Sequence, residues 1–155
     1  MNGRVSWHDL CRCQPRSEMD SAEDYSENAR ALYRACVQAH ERLVAPPLLP
    51  IEVANVLRQR MRRGQPQLSL AEATELLQQF LTMPLESASP PGLYDLAMKL
   101  ADAHNLPAVY DAHYVALAQL LGCNLWTADE RLVNSLGGKL PFVKWIGDYN
   151  EGNPL

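Results

Sequence analysis

The sequence has no excess of positive charge, no long apolar run and no apolar signal core near its first residue. Its 14 Lys and Arg against 18 Asp and Glu give a formal net charge of -4, which argues against holding nucleic acid by bulk charge, although local basic patches or bound cations still can. The apolar runs are interrupted by Pro, Asp, His or Gln, so neither export nor a membrane span is expected. We expect a soluble, cytoplasmic protein without a membrane partner.

Cysteines are also few. The four that are present, Cys11, Cys13, Cys36 and Cys123, are irregularly spaced, which fits a reducing compartment better than a disulfide scaffold. His8 lies near the first two, but no second ligand pair at zinc-finger spacing follows. The 155 residues suffice to bury one core without disulfides or a structural metal, so a single α/β domain is the default expectation.

What is present is a regular pattern that begins at residue 26. Residues 1–25 show no apolar period and are read as an atypical N-terminal segment, whereas 26–149 form the predicted domain and 150–155 a C-terminal tail. Short strand-like pieces alternate with helical ones, which predicts a parallel sheet flanked by helices. Helices are predicted from Ser26, over Ile51–Arg63, from Ser69 to Leu81, over Leu93–His104, from Asp111 and over Asp129–Leu136, and strands over Leu43–Leu49, Asn124–Thr127 and Phe142–Ile146.

Three carboxylates stand where predicted strands and helices join. Glu52 comes just after the strand-like Leu43–Leu49, Asp111 opens an apolar helical run that ends at Gly122, and Asp129 follows the strand-like Asn124–Thr127. In open α/β sheets the functional site lies at the carboxyl ends of the strands. We therefore expect the three acids to converge from distant segments.

Clustered carboxylates repel one another and make a divalent cation a natural partner. Mg²⁺ prefers oxygen ligands, and such an ion lowers the pKa of a water and stabilises charge on a leaving phosphodiester oxygen. Each acid also has a structural alternative, since an acid in a first helical turn is often only a cap or a dipole partner. Asp129 with Thr127 in particular can be a plain N-cap.

Other polar residues are read with the same two options. His113 and His40 are interpreted as surface or core-edge residues rather than ligands, and Tyr110 and Tyr114 as packing residues. The arginine cluster from Arg58 to Arg63 is interpreted as a solvated helix end, with contact to phosphate as the alternative.

Four segments in order resemble the PIN domain, specifically the VapC-like toxins of type II toxin-antitoxin pairs. The resemblance runs from about Ser26 to Tyr149 and is carried by APPLLPIEVANVLRQ, VYDAHYVALAQLLG, LWTADERL and PFVKWIGDY. It implies a three-layer α/β/α fold with a short central parallel sheet. It also implies magnesium- or manganese-dependent cleavage of RNA by metal-activated water, a cognate antitoxin and a homodimer.

The resemblance assigns roles to five residues. Glu52, Asp111 and Asp129 correspond to the second, third and fourth acidic positions of the family's metal and catalytic site. Asn55 and Thr127 correspond to polar residues that support it.

The sequence departs from the family at its start. The family opens with an apolar strand that ends in aspartate, typically V-D-A-S followed shortly by K-W, whereas residues 7–14 read WHDLCRCQ. Asp9 stands nearby, but its neighbours do not match. We therefore expect the first strand to be disrupted or missing and one metal ligand to be lost. The competing interpretation is a catalytically impaired binding module that engages an antitoxin or associates with itself.

The genetic code offers a reason for the departure and a prediction. Permitted codons for Cys11 to Met19, read one nucleotide later, spell V-D-A-S-L-A-V-K-W; Glu18 then yields Lys or Arg, and Met19 followed by Asp20 must yield Trp. We hypothesise that residues 1 to about 22 are a frame-displaced N-terminus. The nucleotide sequence checks this: codons unable to encode V-D-A-S in the next frame would exclude it.

Overall fold

Five short parallel strands form a single sheet in the order β3, β2, β1, β4, β5. The computed structural model describes residues 4–7, 26–63, 67–136 and 138–150. The strands are β1 (Arg4–Trp7), β2 (Arg42–Ala45), β3 (Leu85–Ser87), β4 (Asn124–Thr127) and β5 (Val143–Trp145). The predicted parallel sheet is confirmed.

The central strand corrects one expectation. We predicted that the first strand would be disrupted or missing, yet Arg4–Trp7 pairs with β2 on one side and β4 on the other. Residues 7–14, where the family's opening motif was expected, begin at the last residue of this strand. A segment between two parallel neighbours gains ladder hydrogen bonds on both sides, so pairing rather than an apolar pattern selects it. Asp9, His8, Cys11 and Cys13 lie outside the described residues.

The helices agree closely with the sequence prediction. Each predicted helix is present, and its first residue lies within two of the expected one. The helices are α1 (Ser26–Gln38), α2 (Leu49–Arg63), α3 (Leu70–Leu81), α4 (Leu93–Ala103), α5 (Val109–Leu121) and α6 (Glu130–Leu136), followed by a 3₁₀ turn over Ile146–Asp148. In the part of the chain that the structure describes, none of these helices has the length and apolar character needed to cross a membrane.

Alternate strand residues divide the interior into two cores. In β2, Leu43 packs with one group and Val44 with the other; in β4, Trp126 and Leu125 divide in the same way. This is the period of two that strand geometry imposes on side chains. The smaller core contains α1, and the larger contains parts of α2, α4, α5 and α6. Helices therefore cover both faces, as the predicted three-layer α/β/α fold requires.

The described cysteines, Cys36 and Cys123, are buried, and Cys36 is a free thiol. Burial, and to a smaller extent the nearby Glu41 carboxylate, raises the pKa of the Cys36 thiol to about 11. The thiol is therefore protonated at neutral pH and acts as a small apolar group.

A capping box begins α3, as the Ser69 and Glu72 spacing predicts. The Ser69 backbone N–H donates to Glu72 Oε2 at 2.8 Å, and the Glu72 N–H donates to Ser69 Oγ at 3.2 Å. The hydrogen bond from the Ser69 side chain lowers the pKa of Glu72, and the one from the Ser69 backbone adds to this effect. The stabilisation from the Glu72 carboxylate is therefore complete above its unfolded-state pKa and is lost as pH falls through the lower folded-state value.

We accordingly predict that Glu72→Ala lowers the urea midpoint of unfolding at pH 7, and that the loss shrinks as pH falls below about 4. Glu75→Ala in the same helix is the control, because Glu75 bonds only to the Gln79 side chain. Urea titrations between pH 3 and pH 7 check this. Equal losses for the two variants at pH 7, or a pH-independent loss for Glu72→Ala, would contradict the role of the capping box.

Candidate functional site

The order of the strands defines where a site is expected. The chain passes outward from β1 through β2 to β3, then crosses back to place β4 on the other side of β1. Parallel sheets bind ligands beyond the carboxyl ends of their strands, at the point where the order reverses. Here that point lies between β1 and β4. Thr127 is the last residue of β4, and Asp129 follows it by two.

Glu52 reaches α5 from the first turn of α2. It follows β2 through the short turn that starts α2 at Leu49, which brings it to the carboxyl-end side of the sheet. The side chain is half-buried, and its Oε2 accepts a hydrogen bond from the hydroxyl of Tyr114. Since Tyr114 is fully buried in the larger core, this bond ties the carboxylate to a rigid element.

Asp111 occupies the first turn of α5, one turn before Tyr114. Its side chain is only 7% exposed, although a buried carboxylate is costly unless hydrogen bonds or a cation compensate for its charge. The N-cap residue Ala108 forms no side-chain capping bond, so the carboxylate lies near the uncapped, partly positive end of the helix. Residues three apart on a helix share a face, which places Asp111 beside the residue that contacts Glu52.

Asp129 is the N-cap of α6, as its structural alternative proposed. Its Oδ1 accepts hydrogen bonds from the N–H groups of Arg131 at 2.9 Å and Leu132 at 3.2 Å. Its own N–H donates to Oγ1 of the fully buried Thr127 at 3.0 Å. Thr127 therefore supports the loop that positions Asp129, while Asn55 lies exposed on α2, one turn after Glu52.

The structure brings Glu52 to the helix that carries Asp111, but it does not group all three acids. Within residues 26–63, 67–136 and 138–150, no three His, Cys, Asp or Glu side chains form a set that could hold one metal ion. The capping bonds of Asp129 direct one of its oxygens toward α6. Asp9, the acid that is closest to β1 along the sequence, lies outside the described residues.

Two aromatic residues of α5, His113 and Tyr114, are buried and make specific contacts. His113 is buried at 7% exposure, with Nδ1 2.8 Å from the carbonyl oxygen of Val109 and its ring edge-on to Tyr94 at 5.1 Å. The ring serves packing. Because a carbonyl oxygen only accepts hydrogen bonds, the proton is assigned to Nδ1. Tyr114 packs as predicted, but its contact with Glu52 was not foreseen. The spacing of three residues between Asp111 and Tyr114 is the feature of the sequence that would have indicated one shared helix face.

The donors fit a hard divalent cation. Carboxylate oxygens are the ligands that Mg²⁺ prefers, and this ion commonly binds through one or two carboxylates while it keeps several waters. Glu52 and Asp111 offer such a pair on neighbouring elements. Within the described residues, no His or Cys joins these two acids in a group of three potential metal ligands.

Comparisons with known proteins add evidence from sequence similarity. The protein-family model of the PIN domain matches residues 20–135, so the match begins within the segment that the sequence pattern set apart. The chain is similar to a VapC ribonuclease of Mycobacterium bovis, with 36% identity over 105 residues that cover 68% of this chain and 79% of the relative. Ribonuclease VapC9 of Mycobacterium tuberculosis matches with the same identity and coverage.

The bond between Tyr114 and Glu52 yields a prediction about stability. Tyr114→Phe removes the hydroxyl and keeps the packed ring, so the protein should lose about 1.5 kcal/mol, the lower end for a hydrogen bond to a charged group, since Glu52 is half-exposed. Urea unfolding at pH 7 measures this loss.

Tyr110→Phe is the matched control. Tyr110 lies one turn earlier on the same helix with 60% of its side chain exposed, so loss of its hydroxyl should change stability by less than about 0.5 kcal/mol. Similar stability losses for the two variants would show that the Tyr114 hydroxyl has no special role.

Proposed function

The chain belongs to the PIN-domain family, and from this premise we propose that it is a magnesium-dependent endoribonuclease, the toxin of a toxin-antitoxin pair. One observation carries the proposal. The hydroxyl of Tyr114 holds Glu52 against α5, one turn from the buried Asp111. Two carboxylates on rigid elements at the carboxyl end of a parallel sheet are what a phosphodiesterase of this kind needs.

The residues of the chain have distinct roles in this proposal. Asp111 and Glu52 offer oxygen ligands, and Tyr114 restricts the rotamers of Glu52 so that little order is lost when a ligand binds. Asp129, fixed by its capping bonds and by Thr127, lies at the end of the strand beside β1. We propose that it acts on the cation through water rather than directly, and that Asn55 orients substrate at the exposed side.

The cofactor follows from the donors. Bound Mg²⁺, or Mn²⁺ in its place, would lower the pKa of an attacking water and stabilise the charge that develops on the leaving oxygen of the phosphodiester. The chain then needs no nucleophile of its own, which fits the buried, structural state of Cys36, Cys123 and His113.

A cognate antitoxin and a second copy of the chain are the proposed protein partners, in the cytoplasm. Exposed apolar side chains support association: Tyr94 is 61%, Met98 63% and Tyr110 60% exposed. Tyr94 and Met98 are four apart on α4 and therefore share a face, and the ring of Tyr94 contacts α5 at His113. An apolar surface of this kind is typical of a contact with protein.

Two observations favour a second candidate, an impaired PIN-like module that binds an antitoxin or itself without cleaving RNA. In the described part of the chain, no three potential ligands form a metal-binding group, and the family's first acidic position lacks a clear counterpart in the sequence. Cleavage activity separates the two candidates.

We predict that the protein cleaves single-stranded RNA in the presence of Mg²⁺ and not in EDTA, and that Asp111→Asn lowers the rate by about 100-fold or more. Loss of residues that merely support metal ligands already costs about 10- to 100-fold. Gel analysis of labelled RNA fragments measures the rate. A thermal shift on addition of Mg²⁺, absent in Asp111→Asn, gives an independent measure of metal binding.

Asp102→Asn is the matched control, because Asp102 is exposed at the far end of α4 and should leave the rate unchanged. Circular dichroism verifies that both variants are folded. A folded protein that neither cleaves RNA nor responds to Mg²⁺ would exclude the enzyme and leave the binding module.

A further inference from the structure

We infer that the face of α2 that carries Glu52 continues as a binding track for the RNA backbone, with Arg63 at its far end as a phosphate contact. The inference rests on the proposed function, and it adds where the substrate runs. Three features support it: the exposed arginines of α2, the helical spacing between Glu52 and Arg63, and the ion pairs that cations elsewhere on the chain form.

The arginines at the end of α2 are exposed and have no acidic partner in the part of the chain that the structure describes. Four guanidinium groups lie in its last two turns, and none of them forms an ion pair within the described residues; they are Arg58, Arg60, Arg62 and Arg63. Several other cations of the protein form ion pairs with carboxylates. The basic end of α2 is thus a local exception on a chain whose net charge is -4.

The paired cations illustrate the difference. Arg30 contacts Glu27 at 2.7 Å, Lys99 contacts Asp95 at 2.6 Å, and Arg42 donates from Nε to Glu86 at 2.9 Å. Neighbouring carboxylates therefore neutralise cations of α1, α4 and β2. Without such neighbours, the guanidinium groups of α2 keep their full attraction for phosphate.

Helical spacing connects Arg63 to the site. Eleven residues separate it from Glu52, and at about 100° per residue this returns Arg63 to within roughly 20° of the Glu52 direction. The rise of 1.5 Å per residue places it about 16 Å further along the axis. Gln59 lies between them on the same face. Arg58 is rotated by about 120° from Glu52 and faces elsewhere.

The residues between the two ends are partly covered. Glu52, Val56 and Gln59 are all half-buried, whereas Arg63 is exposed. These residues therefore lie on a side of α2 that neighbouring elements partly cover, rather than on its fully exposed side. An extended strand of RNA that lies against this flank would meet an amide at Gln59 and a guanidinium at Arg63.

Arginine suits this role because its planar guanidinium donates paired hydrogen bonds to phosphate and remains charged at all relevant pH values. The helix dipole also stabilises a positive charge at the end of the helix, but that effect requires no particular face. A binding track predicts that the contribution of each arginine to RNA binding depends on the face of α2 that it occupies. A comparison of arginines on different faces measures this difference.

The test measures binding apart from cleavage. In the full-length Asp111→Asn protein, with EDTA present, fluorescence anisotropy gives the Kd for a short labelled single-stranded RNA of mixed sequence at several salt concentrations. Arg63→Gln should reduce the slope of log K against log salt by about 0.7, the value for one phosphate contact on a single strand. This slope corresponds to a Kd about five-fold higher at 0.1 M salt.

Arg58→Gln removes the same charge from the same helix but from another face, and it should leave both the slope and the Kd close to those of the parent. Equal slopes for the two variants, or no RNA binding by the parent even at low salt, would overturn the track. In the protein with Asp111 intact, Arg63→Gln should raise KM with little change in kcat. Absence of cleavage by the unmodified protein would instead count against the proposed function, because the binding assay does not depend on it.

Discussion

The burial of α5 is the constraint on which most of the structure depends. Every residue from Asp111 to Ala118 is buried, so this helix has no solvated face over two turns and must be enclosed by the sheet and by its neighbouring helices. A helix buried all round is the middle of a core rather than its cover. Gly122 ends it in a left-handed conformation at φ 64°, which releases the chain into β4.

A polar site on such a helix is stable only because its polar groups are few and placed at one end. Asp111 is in the first turn, where the helix dipole favours an anion, and Tyr114 directs its hydroxyl to Glu52 from an otherwise apolar core. Packing therefore gives the site its rigidity, and the hydrogen bond from Tyr114 helps to position Glu52. Asp129 follows a different principle, since local capping bonds determine its orientation.

The two ends of α2 carry opposite charges. This arrangement suits both the stability of the helix and the proposed binding of a cation and RNA. Glu52 lies in the first turn and the arginines in the last, which is the arrangement that the helix dipole favours at each end. The same arrangement places the Glu52 carboxylate of the proposed metal site at one end and the arginine of the proposed phosphate contact at the other. A protein with a negative net charge can hold an RNA by such local placement, because charges within about 10 Å dominate at physiological salt.

Local sequence information predicted most of the helices. The capping box at Ser69 and the left-handed stop at Gly122 define helix ends through contacts within a few residues, so they are legible without a fold. Strands are less local. β4 was predicted from its apolar pattern, whereas β3 and the central β1 were missed, because Leu85–Ser87 and Arg4–Trp7 are short and become strands only through pairing with their neighbours.

The residues along the chain were enough to predict most of the helices, the family and the positions of Glu52, Asp111 and Asp129 at the junctions of strands and helices. Only the tertiary structure decided how these residues are used. It joined Glu52 to α5 through Tyr114, oriented Asp129 as a helix cap and left the three acids without a common group among the described residues. The reason is physical: helix ends and apolar periods depend on neighbours along the chain, whereas contacts between residues 62 positions apart depend on how the buried faces pack.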